Sequence, residues 1–325
     1  MKCEICDNAD NNKSFKIKEM MYGIREEFEY MECNKCGCIQ ILEIPSDMSK
    51  YYPKDFHVIN EKENIITKSK RYLINKRDYY DLSGKSFLGK LVSKYFEPNK
   101  SFALIHDLIE SNNINLDSSV LDVGCGLGIF LQQLSQAGFT NLTGIDLFVE
   151  ESLIIDNLNI MKTSLENYNP NKKYDFIVLN HSFEHMEEPL ESLKDINNLL
   201  MEEGIVMIKI PLKTEYIWDL YGVNWVQLDA PRHFYSYTLE AFNILAKKAG
   251  FEIQETIYES NDFQFVASEL YKQDIPLKPQ NEYEREQSQK AFTKSQIKEF
   301  RKKANELNEN KQGDSVILLL NKRSI

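Results

Sequence analysis

Six cysteines and five histidines are spread unevenly over the 325 residues, and their spacing carries chemistry. Cys3-x-x-Cys6 and Cys33-x-x-Cys36 are two knuckle-type pairs separated by 26 residues. Four thiolates so arranged suit a tetrahedral zinc site with no open coordination position, hence a structural one. The gap exceeds the commonest spacing of such sites, and a hairpin pairing Phe15–Glu19 with Phe28–Met31 would span it. A segment this short cannot bury a core of its own, which makes a metal staple useful. Cys38 is then a spare, and Cys125 sits elsewhere, inside a glycine-rich run.

That run, Asp122-Val-Gly124-Cys125-Gly126-Leu-Gly128, falls where a strand should turn into a helix. Glycines let a ligand lie against the backbone, and a helix N-terminus adds exposed N–H groups. Asp146 ends the next apolar stretch, placed to accept hydrogen bonds from ribose hydroxyls. Dinucleotides and S-adenosylmethionine are both served by such a geometry. Two details separate them: Ile129 stands where the dinucleotide pattern needs a third glycine, and Asp122 suits an amino group and would repel a pyrophosphate. Three histidines fall in two later loops, His181 and His185 in Asn180-His-Ser-Phe-Glu184-His185 and His233 in Asp229-Ala-Pro-Arg232-His233. An imidazole that titrates near neutrality suits a general base. Glu184 could hold one of these rings in its productive tautomer, and Arg232 could face an anionic substrate.

These residues need elements to position them. From about Ser118 the pattern alternates strands and helices, which implies a parallel sheet covered by helices. Val120–Val123, Leu142–Ile145, Tyr174–Leu179, Ile205–Ile210, Phe251–Ile257 and Val316–Leu320 read as strands. Between them, one helix puts Ile129, Phe130, Leu134 and Ala137 inward and stops at Gly138. A second opens at Pro189, buries Leu190, Leu193, Ile196 and Leu200, and closes at Gly204. A third is capped by Thr238, with Leu239, Phe242, Leu245 and Ala249 facing the core, and ends at Gly250. Glu282–Asn310 is charged, with Ile297, Phe300, Ala304 and Leu307 at helical spacing, and reads as a surface helix inserted before the last strand. Residues 46–100 are aromatic (Tyr51, Tyr52, Phe56, Tyr72, Tyr79, Tyr80, Phe87, Tyr95, Phe96) and hold twelve basic against seven acidic side chains. The basic run Lys68-Ser-Lys70-Arg71 to Lys76-Arg77 reads as a solvated helix face.

Taken together, Val120-Leu-Asp122-Val-Gly124-Cys-Gly126-Leu-Gly128, Gly144-Ile-Asp146, Ser164-Leu165-Glu166 and the stretch from Tyr174 to Pro189 resemble the ordered motifs of class I S-adenosylmethionine-dependent methyltransferases. The resemblance runs from about Phe102 to Lys322. It implies a mostly parallel, seven-stranded Rossmann-like α/β sheet, with Asp122, Gly124, Cys125, Gly126, Asp146, Leu147, Ser164, Leu165, Asn180 and His181 around the cofactor. His185, His233 and Glu184 would then be catalytic, with His185 favoured as the base. The start, through Pro45 and Tyr51-Tyr52-Pro53, resembles the zinc-ribbon prefix of bacterial methyltransferases that modify sugars and surface polysaccharides. The organisation expected is a ribbon over 1–45 with zinc on Cys3, Cys6, Cys33 and Cys36. A connector over 46–100 and a methyltransferase domain over 101–325 follow, with a helical insertion at about 268–312. The expected reaction is O-methylation of a small molecule, a sugar or an anionic sugar nucleotide first.

Composition narrows the alternatives. A net charge of −11 argues against an RNA methyltransferase that binds by charge attraction. A non-catalytic cofactor-binding adaptor keeps the same motifs and stays open. The longest apolar run, Val316–Leu320, is far short of a membrane span of about 20 residues. The first residues lack the apolar core of a signal peptide, and paired cysteines favour a reducing, cytoplasmic setting.

Overall fold

A computed structural model describes residues 1–52, 65–96, 98, 100–111, 113–155 and 157–323; Pro53, Phe56 and His57 lie outside the described residues. In chain order the strands are β1 (Lys13–Lys18), β2 (Glu27–Glu32), β3 (Ile39–Ile41), β4 (Ser119–Val123), β5 (Asn141–Asp146), β6 (Leu153–Ile155), β7 (Leu158–Lys162), β8 (Tyr174–Asn180), β9 (Leu200–Pro211), β10 (Tyr235–Ser236), β11 (Phe251–Tyr258) and β12 (Ser315–Lys322). The helices are α1 (Ile65–Ser83), α2 (Phe87–Ser93), α3 (Lys100–Glu110), α4 (Ile129–Gln136), α5 (Pro189–Leu199), α6 (Glu215–Tyr221), α7 (Leu239–Lys248), α8 (Phe263–Lys272), α9 (Glu282–Lys290) and α10 (Lys294–Glu309). The residues group into two compact units that interleave along the chain: Met1–Pro53, Phe183–Leu190 and Lys209–Leu318 in the first, and Lys54–Ser182, Glu191–Ile208 and Leu319–Ile325 in the second.

The larger sheet has the order β11-β12-β9-β8-β4-β5-β7-β6. Within the second unit β4 pairs in parallel with β5 and β8, and β5 with β7. β4 is buried along its whole length, as a strand covered on both faces must be. The sheet therefore has eight strands where seven were expected. The extra one is β6, which turns back antiparallel on β7 in the register Leu153↔Ile160 and closes the edge. Gly204 does not end a helix. α5 stops at Leu199 and the chain runs straight into β9, where a side chain on Gly204 would meet Leu200 at 2.8 Å and the Asp175 carbonyl at 3.1 Å. In α4 it is Leu131 and Leu134 that are buried, while Ile129 is exposed at the first turn. Nor is the basic run wholly solvated: Arg77 is buried, with Nε donating to Asp78 at 2.9 Å.

The first unit holds the antiparallel sheet β1-β2-β3-β10. Phe15 faces Tyr30 in the hairpin, and Tyr235 faces Gln40. The charged stretch 282–310 is two helices rather than one. Asn281 caps α9, and Thr293 starts α10 afresh with a capping box to Gln296. α7 is capped as its sequence suggests, by Thr238 accepting from the Ala241 N–H.

In this unit Arg232 is fully buried, and all three of its guanidinium nitrogens donate hydrogen bonds. Nε and Nη2 donate to the two Asp229 oxygens at 2.9 and 2.6 Å, Nη2 also reaches Glu19 at 2.9 Å, and Nη1 donates to the Tyr51 carbonyl at 3.1 Å. Burial opposes the charge, but Asp229 and Glu19 outweigh it and hold the group protonated. Arg232 is thus committed inward and is not available to an anionic substrate. Replacing it with Leu strands two carboxylates, so Arg232→Leu should lower stability by about 3–5 kcal/mol, read as a fall in the urea midpoint.

Candidate functional site

The glycine loop of the second unit is shaped by contacts that leave no room for side chains. Gly124 has φ +74°, and a Cβ there would lie 2.4 Å from the Ser182 Cβ. Ser182 closes this side by donating from Oγ to the Val123 carbonyl at 2.6 Å. Gly128 caps α4 at φ +69°, with Ile160 at 2.4 Å from any added Cβ. Gly126, also at positive φ, differs: open space surrounds it, as an approach for a ligand requires.

Asp146 is held by backbone donors, the Gly126 N–H to Oδ2 at 2.8 Å and the Phe148 N–H to Oδ1 at 2.7 Å. Its side chain is thereby fixed at the tip of β5. Asp122 is buried, and its Oδ1 lacks a hydrogen-bond partner. Burial, and then the nearby Asp146, push its carboxyl up to about 7. A buried acceptor beside an open glycine turn suits a cationic or hydroxyl-bearing ligand, so the residues fit S-adenosylmethionine. Leu147 is exposed next to Asp146. Ser164, Leu165 and Asn180 are half-buried, and His181 is exposed at φ +51°. Cys125 turns its sulfur toward Gly144, where an added Cβ would meet it at 2.6 Å.

In the first unit, Glu184, His185 and His233 each offer a ligand atom within 4.8 Å of the others. His185 Nδ1 donates to the Arg232 carbonyl at 2.8 Å, and His233 Nδ1 donates to the Gln227 carbonyl at 2.7 Å. A carbonyl only accepts, so both rings carry a proton on Nδ1. The rings meet edge to face at 4.8 Å. Burial, and then His185, lower the His233 pKa and keep that ring neutral. The sequence reading missed Tyr52, whose hydroxyl lies 3.3 Å from His185 Nδ1, and Asp229, 3.9 Å from His233 Nε2. Tyr52 stood in the sequence only as an aromatic of the Tyr51-Tyr52-Pro53 stretch, with no site role attached. Asp229 stood in the motif of Arg232 and His233, three residues before its ion-pair partner.

The four expected cysteines converge. Cys3 Sγ lies 3.7 Å from Cys36 Sγ, and Cys6 Sγ lies 3.5 Å from Cys33 Sγ. Zinc–sulfur bonds of about 2.3 Å make a tetrahedron with edges of about 3.8 Å, so this donor set fits zinc. Tight turns shape the knuckles, with the Asp7 N–H donating to the Cys3 carbonyl and the Gly37 N–H to the Cys33 carbonyl, both at 2.9 Å. Cys38 is buried but directs its thiol to the Ile39 carbonyl.

A family model described as a methyltransferase domain matches residues 87–256, just over half of the chain. The chain belongs to this methyltransferase family. It is an S-adenosylmethionine-dependent methyltransferase with a Rossmann-like α/β fold. Among curated members it is similar to the ubiquinone biosynthesis O-methyltransferase of Actinobacillus pleuropneumoniae, 28% identical over 173 residues, covering 44% of this chain and 71% of that one. The protein of the same name in Nitrosospira multiformis is 24% identical over 201 residues, covering 54% and 83%. Among solved structures, the magnesium protoporphyrin IX methyltransferase of Synechocystis, with bound S-adenosylhomocysteine, has a TM-score of 0.44 and 16% identity, over 85% of this chain and 95% of that one.

For a methyltransferase the buried Asp122 has a measurable cost before any cofactor binds. Its pKa near 7 lies above the ordinary carboxyl range of about 4. Between those values the unfolded chain has lost the proton and the folded one has kept it. Stability must therefore fall as pH rises through that window. Relative to Asp122→Asn, the cofactor-free wild type should lose roughly 2–3 kcal/mol between pH 5 and pH 7, measurable by urea titration at each pH.

Proposed function

We propose that this methyltransferase acts on a hydroxyl of a small molecule. The observation that carries the cofactor half is the buried, unpartnered Asp122 oxygen beside the open turn at Gly126, with Asp146 fixed next to them. S-adenosylmethionine, when bound, supplies a methyl group on a cationic sulfur. Asp146 would hold the ribose hydroxyls, and Asp122, ionised by the incoming cation, would hold the amino group. The backbone of Gly124, Cys125 and Gly126 would line the methionine end, with Asn180 and His181 beside it. Leu147, Ser164 and Leu165 would border the adenine.

Transfer to a hydroxyl requires the acceptor oxygen to attack the methyl carbon while the sulfur–carbon pair returns to sulfur and the hydroxyl proton leaves. Glu184, His185 and His233 are the residues we assign to the acceptor, with His185 first, because its Nδ1 is committed to a carbonyl and Nε2 is the ring nitrogen left to face a substrate. The names of the similar curated proteins, ubiquinone biosynthesis O-methyltransferases, support transfer to oxygen. A sugar or sugar nucleotide stays our first acceptor only on the resemblance of the N-terminus, since the inward commitment of Arg232 removes the side chain that favoured an anionic one. The four cysteines would hold a structural zinc. No described helix is long and apolar enough to cross a membrane, and the two Cys-x-x-Cys pairs suit a reducing cytoplasm.

Asp146→Ala should weaken cofactor binding about ten- to a hundredfold, the worth of a charge-assisted hydrogen bond of about 1.5–3 kcal/mol. Calorimetry returning an unchanged affinity would remove the assignment. Radiolabelled methyl transfer to a panel of sugars, sugar nucleotides and other hydroxyl compounds identifies the acceptor.

Cys33→Ser should release the thiolate-bound zinc and melt the first sheet at lower temperature, while cofactor affinity survives in the fraction that stays folded. Loss of cofactor affinity in that folded fraction would show that the zinc does more than staple the fold.

A further inference from the structure

Besides the four cysteines, two groupings of metal-ligating side chains occur among the described residues. His106 with Asp107 and Glu110 lies on the surface of α3, where the ion pairs of 3.6 Å are ordinary helix neighbours. Glu184, His185 and His233 differ in being interior: Glu184 and His233 are buried, and His185 is half-buried. We propose that Glu184, His185 and His233 form a second metal site, which takes a divalent transition-metal cation through two imidazoles and one carboxylate. The proposal rests on the reading of these residues as the acceptor side of the reaction, and it specifies how they act there.

Two independent features carry it. One is convergence: a ring nitrogen of His185, a ring nitrogen of His233 and a Glu184 oxygen lie within 4.8 Å of one another, and His233 Nε2 is 4.0 Å from Glu184 Oε1. With metal–ligand bonds of about 2.1 Å, a tetrahedral site has edges of about 3.4 Å, so side-chain shifts of about an ångström complete it. The other is orientation. Metal-bound histidines almost always donate their second ring N–H to a carbonyl or carboxylate, which fixes the tautomer and aims the lone pair at the ion. Both rings do this here, through Nδ1 to the Arg232 and Gln227 carbonyls.

The backbone beneath is held in place. The Phe234 N–H donates to the Glu184 carbonyl at 2.9 Å, which ties the two ligand-bearing stretches together. Arg232, immediately before His233, is pinned to Asp229, Glu19 and Tyr51. Two histidines and a carboxylate leave coordination positions open, unlike the closed four-thiolate set. An acceptor hydroxyl could enter there and would lose its proton more readily beside the cation.

The test is zinc stoichiometry of the full chain after equilibrium dialysis against micromolar zinc, by elemental analysis. Wild type should hold one more zinc than Glu184→Gln or His185→Gln, while all three bind S-adenosylmethionine with equal affinity, which shows that the variants are folded. Cobalt substitution adds a second readout: a weak visible band from a nitrogen and oxygen site, lost in both variants and separate from the intense thiolate-to-metal absorption. Equal zinc content in all three proteins, with no such band, overturns the site. In that event a loss of kcat in the variants would still uphold their role toward the acceptor, by direct proton removal. Zinc loss with unchanged kcat would leave the metal site standing and overturn the acceptor reading.

Discussion

A fully buried guanidinium must find partners for its donors, and the first unit is organised around that constraint. Arg232 draws Asp229, Glu19 at the end of the hairpin and the Tyr51 carbonyl onto one point. Its own carbonyl is then fixed, and that carbonyl accepts from His185 Nδ1. His233, the next residue, is held by the same loop and by the Gln227 carbonyl. One ion network therefore sets the tautomer of one histidine and the position of the other. Breaking such a network leaves uncompensated buried charge and releases the carbonyl that orients His185.

The second unit solves a different problem. Its glycine loop has to expose backbone while hiding the strand it leaves, and each glycine answers a separate demand. Gly124 is excluded from bearing a side chain by the Ser182 Cβ, and Gly128 is held at a positive φ that side chains strain, whereas Gly126 borders open space. Ser182 thus shapes the loop from outside, and Asp146 ties it from within through the Gly126 N–H. The loop is rigid where it meets the sheet and open where a ligand would arrive, the arrangement that preorganised binding requires.

Much of this was legible in the chain. Alternating apolar strands and helices declared the sheet, and the glycine run falls, as its pattern required, at the turn from β4 into α4. The hairpin proposed to bring the cysteine pairs together is present as β1 and β2. Other features were hidden because local pattern could not carry them. Gly204 resembles a helix terminator, but the close approach of Leu200 and the Asp175 carbonyl is what demands glycine there. β6 has three residues, too few for a periodic signal, and exists because β7 offers it an edge. Arg232 was expected to face an anionic substrate. Its burial depends on Glu19, more than two hundred residues earlier, a distance that no window along the sequence spans.

The two clusters of metal-ligating side chains in the first unit show how donor chemistry divides labour. Four thiolates saturate a tetrahedral ion, so the cysteine set can hold structure but cannot admit a substrate. Its ligands come from tight turns whose backbone N–H groups are already spent on carbonyls of the same knuckles. The histidine and glutamate set is incomplete by count and leaves room for an oxygen from outside. Its ligands sit on stretches from distant parts of the chain, joined by the Phe234 to Glu184 backbone bond and by the Arg232 network. Local turns suffice to build a closed site, whereas an open one keeps its shape only if the fold holds each ligand separately. On the proposal of an open metal site, that requirement gives a role to the buried charge concentrated around Arg232, at a place where an apolar core would have been simpler to pack.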